Sequence, residues 1–122
     1  MSNEPKTTNG KICYVEIPSK NISESSEFYQ KVFGWKIRTR GDGNVAFDDA
    51  TGQVSGTWVL GRKPLDEFSL MMYIMVDSIE DTSELIKSNG GKVLMNHNIS
   101  DKEKIAKFHD PSLNVFGLYQ NP

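Results

Sequence analysis

A strand–helix stretch occurs twice in this 122-residue chain, and this repeat constrains the fold more than any other feature. The first copy runs from Lys11 to Trp35, and adding 57 to its numbers places Ile17 on Ile74 and Gly34 on Gly91. Alternating β-branched and aromatic residues predict the strand, and apolar residues at helical spacing predict the helix that follows. The sequence therefore predicts a duplicated structural unit.

The residues that begin and end the two helices are also repeated. Asn21 can cap the first helix, with Glu24 three positions later, and Gly34 can take the left-handed conformation that ends it. The second helix is predicted from Ile79 to Asn89, with Ser78 at its cap.

Three further strands are predicted after the first helix and three after the second, because turn residues separate short β-prone segments. In the first unit GDGN at 41–44 predicts a hairpin. The predicted strands are Lys11–Ile17, Trp35–Arg40, Asn44–Ala50, Thr57–Leu60, Leu70–Val76, Lys92–Asn96, Lys104–His109 and Val115–Tyr119.

These elements predict an α+β fold class in which two tandem βαβββ modules form a curved mixed sheet with a concave cleft. Residues 1–10 are polar and are predicted to be a flexible N-terminal tail. Residues 11–121 are predicted to be a single domain, with modules at about 11–61 and about 70–121.

Composition excludes several classes of protein. The formal net charge is −2, without the clustered basic residues of a nucleic-acid-binding protein, and Lys36, Arg38 and Arg40 are interpreted as a solvated strand face. No apolar run has the length of a membrane span, and the N-terminus lacks the apolar core of a signal peptide. One cysteine cannot form an internal disulfide. We therefore expect a cytoplasmic protein with no nucleic-acid or membrane partner.

Three stretches, VEIPSKNISESSEFYQKVFGW (15–35), SIEDTSELIKSNGGKV (78–93) and FHDPSLNVFGLYQ (108–120), resemble the vicinal oxygen chelate superfamily. This superfamily includes glyoxalase I, the bleomycin-resistance proteins and the extradiol dioxygenases. The resemblance covers residues 11–121 and is strongest to a glyoxalase-like subgroup. It implies a homodimer, because many relatives build each cleft from two chains.

The resemblance also identifies where a metal would bind. Metalloenzymes of the superfamily place His, Gln or Glu ligands on the first, fourth, fifth and eighth strands. Here those positions fall on Tyr14, near Leu60, on Met71 and on Gly117. None supplies the imidazole nitrogen or carboxylate oxygen that such ions prefer. We therefore expect no metal and no other cofactor, and we do not assign glyoxalase or dioxygenase chemistry.

Strand alternation divides the remaining side chains between a core face and an open face. The residues predicted in the core are Cys13, Val15, Ile17, Leu70, Met72, Ile74, Val76, Phe116 and Leu118. The residues predicted to line the ligand-binding cleft are Tyr14, Glu16, Trp58, Leu60, Met71, Tyr73, Met75, Val115, Gly117 and Tyr119.

This cleft set is aromatic and apolar, with Glu16 as its one carboxylate. It favours a bleomycin-resistance-like protein that binds a small aromatic or hydrophobic molecule without metal. One alternative is a glyoxalase-like lyase or isomerase with Glu16 as the catalytic general base on a carbonyl compound. Another is a dioxygenase-family relative or a protein-binding subunit. The apolar set could also pack against a dimer partner or within its own chain, and Glu16 could be solvated or salt-bridged.

The two histidines, Cys13 and Leu113 are not predicted to line the cleft. His97 is expected in a surface loop, His109 at a strand end with a capping or exposed role, and Cys13 as a buried, inert thiol. Relatives usually carry Gly where Leu113 stands, so a different backbone is expected at that turn.

Overall fold

The structure is a computed structural model that describes residues 6–120. Its elements are β1 (Tyr14–Pro18), α1 (Ile22–Phe33), β2 (Lys36–Thr39), β3 (Val45–Asp48), β4 (Ser55–Val59), β5 (Tyr73–Val76), α2 (Ile79–Ser88), β6 (Lys92–Asn98), β7 (Lys104–His109) and β8 (Val115–Gln120). The chain divides between Arg62 and Lys63 into two compact units, called unit 1 and unit 2. Residues 6–10 contain no helix or strand, whereas the start of the predicted tail (1–5) and residue 121 lie outside the described residues.

Unit 1 is a four-stranded mixed sheet with one helix. The strand order is β1-β4-β3-β2, in which β1 runs parallel to β4 and the other neighbours are antiparallel. The Asn21 side chain accepts a hydrogen bond of 3.0 Å from the Glu24 backbone N–H, and Gly34 has a φ of 71°. The predicted cap and end of α1 are thus confirmed, because both depend on local residue chemistry.

An aromatic cluster holds α1 against the sheet of unit 1. Tyr29 stacks on Trp35 with ring centroids 4.5 Å apart, and Trp35 stacks on Phe47 at 4.5 Å. The Phe47 ring lies 4.8 Å from the ring of Trp58. All four side chains are buried, so this cluster is the centre of the core of unit 1.

The placement of Trp58 corrects the sequence prediction, which assigned it to the open face. Trp58 is only 3% exposed, and its ring lies 6.0 Å from that of Tyr29 on α1. The reason is the register of the parallel pair β1–β4, in which Trp58 is the partner of Ile17 and shares its buried, helix-side face. Thr57, the partner of Glu16, lies on the open face instead.

Two residues predicted in the core are exposed. Cys13 precedes the first residue of β1, and Leu70, which is 77% exposed, precedes β5. Both predicted strands extended too far toward the N-terminus. Both residues lie before the first paired residue of their strand, Tyr14 or Tyr73, where alternation no longer assigns a side chain to the core.

Unit 2 repeats the architecture of unit 1. Its strand order is β5-β8-β7-β6, with β5 parallel to β8, and α2 packs on β6, β7 and β8. The Ser78 hydroxyl accepts a hydrogen bond from the Asp81 backbone N–H at 3.1 Å, as predicted for the cap of α2. Fully or nearly fully buried apolar residues form the core of unit 2, namely Ile86, Ala106, Phe108, Phe116 and Leu118. The α+β fold class with two βαβββ modules is confirmed.

The turn between β7 and β8 is built around a buried carboxylate. Asp110 Oδ1 accepts hydrogen bonds from the backbone N–H groups of Ser112 at 2.8 Å and Asn114 at 3.0 Å, and Oδ2 accepts one from Asn114 Nδ2 at 3.0 Å. Within this turn Leu113 has a φ of 71°, in the left-handed region that Gly favours. Leu113 thus adopts a conformation that Gly favours, despite carrying a side chain.

Candidate ligand-binding site

The open face of a unit is the face of its sheet opposite the helix. In unit 2, Tyr73 pairs with Gly117 and Met75 pairs with Tyr119. The pair between them, Ile74 with Leu118, points to the opposite face, where Leu118 is fully buried. The structure therefore places these four predicted cleft residues together on the open face of unit 2. Tyr73 is 48% exposed and Met75 is 66% exposed, so both present apolar surface to solvent.

Gly117 allows the ring of Tyr73 to lie against β8. A Cβ atom added at position 117 would overlap Cδ2 and Cε2 of Tyr73, which is its pairing partner on β5. The aromatic ring thus fills the space where any side chain at position 117 would begin. A metal ligand at this position of the eighth strand is incompatible with the observed placement of Tyr73.

Two polar side chains on the strands next to the exposed apolar residues of unit 2 already have carboxylate partners. Lys107, which pairs with Gly117 in the ladder, forms an ion pair of 3.2 Å with Glu67. The Tyr119 hydroxyl donates a hydrogen bond to the Glu103 carboxylate, and this bond holds the pKa of the Tyr119 phenol above its ordinary value. Tyr119 therefore remains a neutral hydrogen-bond donor well above neutral pH.

On the open face of unit 1, Tyr14 and Glu16 lie on β1 and are both exposed. Glu16 Oε1 accepts a hydrogen bond of 2.8 Å from Arg62 Nη2. The salt-bridged alternative considered for Glu16 is therefore confirmed. Because both partners are about half exposed, water screens this ion pair, and its contribution to stability is small.

Of the three remaining predicted cleft residues, Leu60 and Met71 lie just outside a strand and Val115 lies at the start of one. Leu60 follows the last residue of β4 and is exposed, and Met71 precedes β5 and is half-buried. Val115 begins β8 as the partner of His109 and is half-buried.

The residues present do not fit the metal that the superfamily implies. Tyr14, Leu60, Met71 and Gly117 offer no imidazole or carboxylate ligand, and Glu16 is paired with Arg62. Across residues 6–120, no group of three or more His, Cys, Asp or Glu side chains is placed to hold a metal ion.

The two histidines lie on different strands of unit 2. His97 is exposed but lies on β6 as the partner of Ile105, so its predicted position in a loop is wrong. His109 ends β7, and its Nδ1 lies 3.0 Å from the backbone carbonyl oxygen of Asp110. This contact agrees with the capping role expected at the turn.

Sequence reasoning missed the side-chain pairs on the open face of unit 1. Arg38 binds Asp48 through two hydrogen bonds of 2.9 and 3.2 Å, and Arg40 Nη1 donates one of 2.7 Å to the Tyr14 hydroxyl. The alternation of Lys36, Arg38 and Arg40 along the second strand was the available signal, but their partners are distant in sequence.

Comparison with known proteins identifies the superfamily and agrees with the fold. The sequence profile of the Glyoxalase/Bleomycin resistance protein/Dioxygenase superfamily matches residues 11–118. The chain therefore belongs to this superfamily, as its sequence resemblance predicted. A glyoxylase-like domain-containing protein of Didymella fabae is 28% identical over 92 residues, which span 70% of this chain and 72% of that protein.

Solved structures show the same fold. A glyoxalase/bleomycin resistance protein/dioxygenase family enzyme of Burkholderia phytofirmans has a TM-score of 0.72 at 18% identity, over 91% of this chain and 98% of that chain. The E126Q mutant of the fosfomycin resistance protein FosX of Listeria monocytogenes, complexed with Mn(II) and 1S,2S-dihydroxypropylphosphonic acid, has a TM-score of 0.74 at 16% identity, over 95% and 93% of the chains. Within residues 6–120 neither helix is long and apolar enough to span a membrane.

Proposed function

We propose that this protein binds a small aromatic or hydrophobic molecule on the open face of unit 2 and that binding needs no metal. The exposure of Tyr73 and Met75 on one sheet face carries this proposal. A Tyr ring offers a stacking surface, and a Met side chain can adapt its shape to a flat ligand.

The energetics favour an apolar ligand. Covering the exposed part of a Met side chain contributes roughly 1–2 kcal/mol, which is about tenfold in affinity. The neighbouring Lys107 ammonium and Tyr119 hydroxyl already have partners in Glu67 and Glu103, so an apolar ligand would leave these contacts intact.

The residues at the superfamily's metal-ligand positions support the proposal that binding needs no metal. FosX, which shares the fold, has been solved with Mn(II). In this chain Tyr73 fills the space above Gly117, and the other three superfamily positions hold Tyr14, Leu60 and Met71.

Fluorescence titration with N-phenyl-1-naphthylamine, a neutral aromatic probe, tests this proposal. Chelator-treated protein is expected to bind the probe saturably, and Met75→Ala is expected to weaken binding about tenfold. Leu85→Ala, which truncates an exposed apolar residue on α2, is the matched control and should leave the affinity unchanged. Equal effects of the two variants, or binding that appears only after a divalent metal is added, would contradict the proposal.

The alternative of a lyase or isomerase that uses Glu16 as general base has weaker support. Glu16 is exposed on the open face of unit 1, but Arg62 occupies its Oε1 atom. Glu16→Gln should abolish turnover of a carbonyl substrate such as methylglyoxal hemithioacetal if this alternative is correct. Turnover that survives the substitution excludes it.

We further propose a homodimer in the cytoplasm. The superfamily resemblance supports the dimer. The single thiol of Cys13 supports a reducing compartment. Sedimentation equilibrium should give twice the chain mass of 13.7 kDa, and a monomer would contradict the dimer.

A further inference from the structure

Unit 1 carries three arginines, and only two of them form an ion pair with a carboxylate. Arg62 is paired with Glu16, and Arg38 is paired with Asp48. Arg40 differs, because its guanidinium donates its hydrogen bond to the neutral hydroxyl of Tyr14 at 2.7 Å. Within residues 6–120, no carboxylate forms an ion pair with Arg40.

The carboxylates of Asp42 and Asp48 have hydrogen-bond partners other than Arg40. Asp42 lies in the adjacent hairpin, and its pKa is lowered first by a hydrogen bond from the backbone N–H of Asn44 and to a lesser degree by Arg40. Lys36 lies on the same strand face and adds a second exposed cation. Asp48 accepts its bonds from Arg38 and from the Ser55 hydroxyl.

Tyr14 contributes a second donor at the same place. The Tyr14 hydroxyl oxygen accepts the hydrogen bond from Arg40, so the hydroxyl proton can be donated to another acceptor. The Arg40 guanidinium carbon also lies 5.8 Å from the centre of the Tyr14 ring. Tyr14 begins β1, and Arg40 directly follows β2, which is the other edge strand of the sheet.

We propose that Arg40 and Tyr14 form a binding site for the oxyanion group of a small molecule. Arg has five N–H donors in a planar fork that matches the oxygens of a carboxylate or phosphoryl group, and only one is used by Tyr14. An incoming oxyanion can therefore accept from the guanidinium and from the phenol together. This site goes beyond the proposed function, because it lies in unit 1 and does not depend on the apolar face of unit 2.

NMR titration of the full chain with inorganic phosphate tests this inference, with chloride at equal ionic strength as the reference. The Arg40 side-chain Nε–H resonance should shift saturably. Arg40→Gln should weaken phosphate binding at least about tenfold, because a charge-assisted hydrogen bond is lost. Tyr14→Phe keeps the ring but removes the hydroxyl, and it should weaken binding about fivefold.

Lys31→Gln is the matched control, since it makes the same change in net charge on α1, where Lys31 is paired with Glu27. It should change phosphate affinity less than twofold. A parallel titration with acetate distinguishes the ligand class: tighter phosphate binding identifies a phosphoryl group, and tighter acetate binding a carboxylate.

The inference is overturned if neither anion shifts the Arg40 resonance saturably, or if Arg40→Gln and Lys31→Gln weaken binding equally. Binding of N-phenyl-1-naphthylamine, measured in the same samples, separates this result from the proposed function. Loss of phosphate binding in Arg40→Gln with unchanged binding of the neutral probe supports two independent sites.

Discussion

Replacing Leu113 tests whether the turn between β7 and β8 is strained. Leu113 has a φ of 71°, a conformation in which the Cβ of an L-residue crowds the backbone. Leu113→Ala and Leu113→Gly both remove the side chain beyond Cβ. Their difference in unfolding free energy therefore isolates the effect of the Cβ atom itself.

The magnitude follows from two opposing effects. A Cβ atom in the left-handed region costs about 1–2 kcal/mol, and removing it relieves this cost. Gly also makes the unfolded chain more flexible, which costs about 0.5–1 kcal/mol relative to Ala. We therefore expect Leu113→Gly to be more stable than Leu113→Ala by roughly 0.5–1 kcal/mol, or by about 2–4 °C in Tm.

Urea unfolding followed by circular dichroism measures this difference, provided that both variants have equal m-values. The control pair is Glu84→Ala and Glu84→Gly, at an exposed site within α2. There Gly should be less stable than Ala by about 1 kcal/mol. If Gly is also less stable than Ala at position 113, the inferred strain is wrong.

Three further predictions concern buried groups and a paired carboxylate. Asp110→Ala should destabilise the fold by about 3–5 kcal/mol in urea unfolding, because it leaves three buried N–H donors without this acceptor; a loss below 1 kcal/mol would contradict this. Trp58→Phe should lower the free energy of unfolding by less than about 1.5 kcal/mol, because the buried Nε1 has no hydrogen-bond partner among the described residues to lose. Trp58→Ala should lower it by about 3–5 kcal/mol, because it leaves a cavity. Equal losses in the two variants would contradict this prediction. The hydrogen bond from Arg38 is the main cause that lowers the pKa of Asp48, so its stabilisation is present above the unfolded pKa of about 3.9 and is lost as the pH falls through the folded pKa. Asp48→Asn should therefore be less stable than the wild type at pH 7 but not in strong acid, and a deficit independent of pH would contradict this.

The fold could be predicted because its signals are local. The caps at Asn21 and Ser78 and the left-handed Gly34 are set by residues close in sequence, and all three are observed. The ends of the strands were harder to predict, because a strand begins where its hydrogen bonding to a neighbouring strand begins, and that neighbour is distant in sequence. Cys13 and Leu70 were misplaced for this reason.

The candidate site was predictable only where strand alternation was read in the correct register. Tyr73, Met75 and Gly117 lie on the face that alternation assigned to them. Trp58 does not, because its face depends on pairing with Ile17, 41 positions away in the chain. The bonds that Tyr14 and Glu16 form with arginines join residues 26 and 46 positions apart, and no local pattern indicates them.

The most direct test of the proposed function is the methyl NMR spectrum of chelator-treated protein during titration with N-phenyl-1-naphthylamine. The chain has five methionines, and Met75→Leu assigns the Met75 methyl resonance. Because Met75 is exposed on the same open face of unit 2 as Tyr73, its methyl resonance should show the largest saturable shift. An unshifted Met75 methyl resonance, or a shift seen only after a divalent metal is added, would contradict the account.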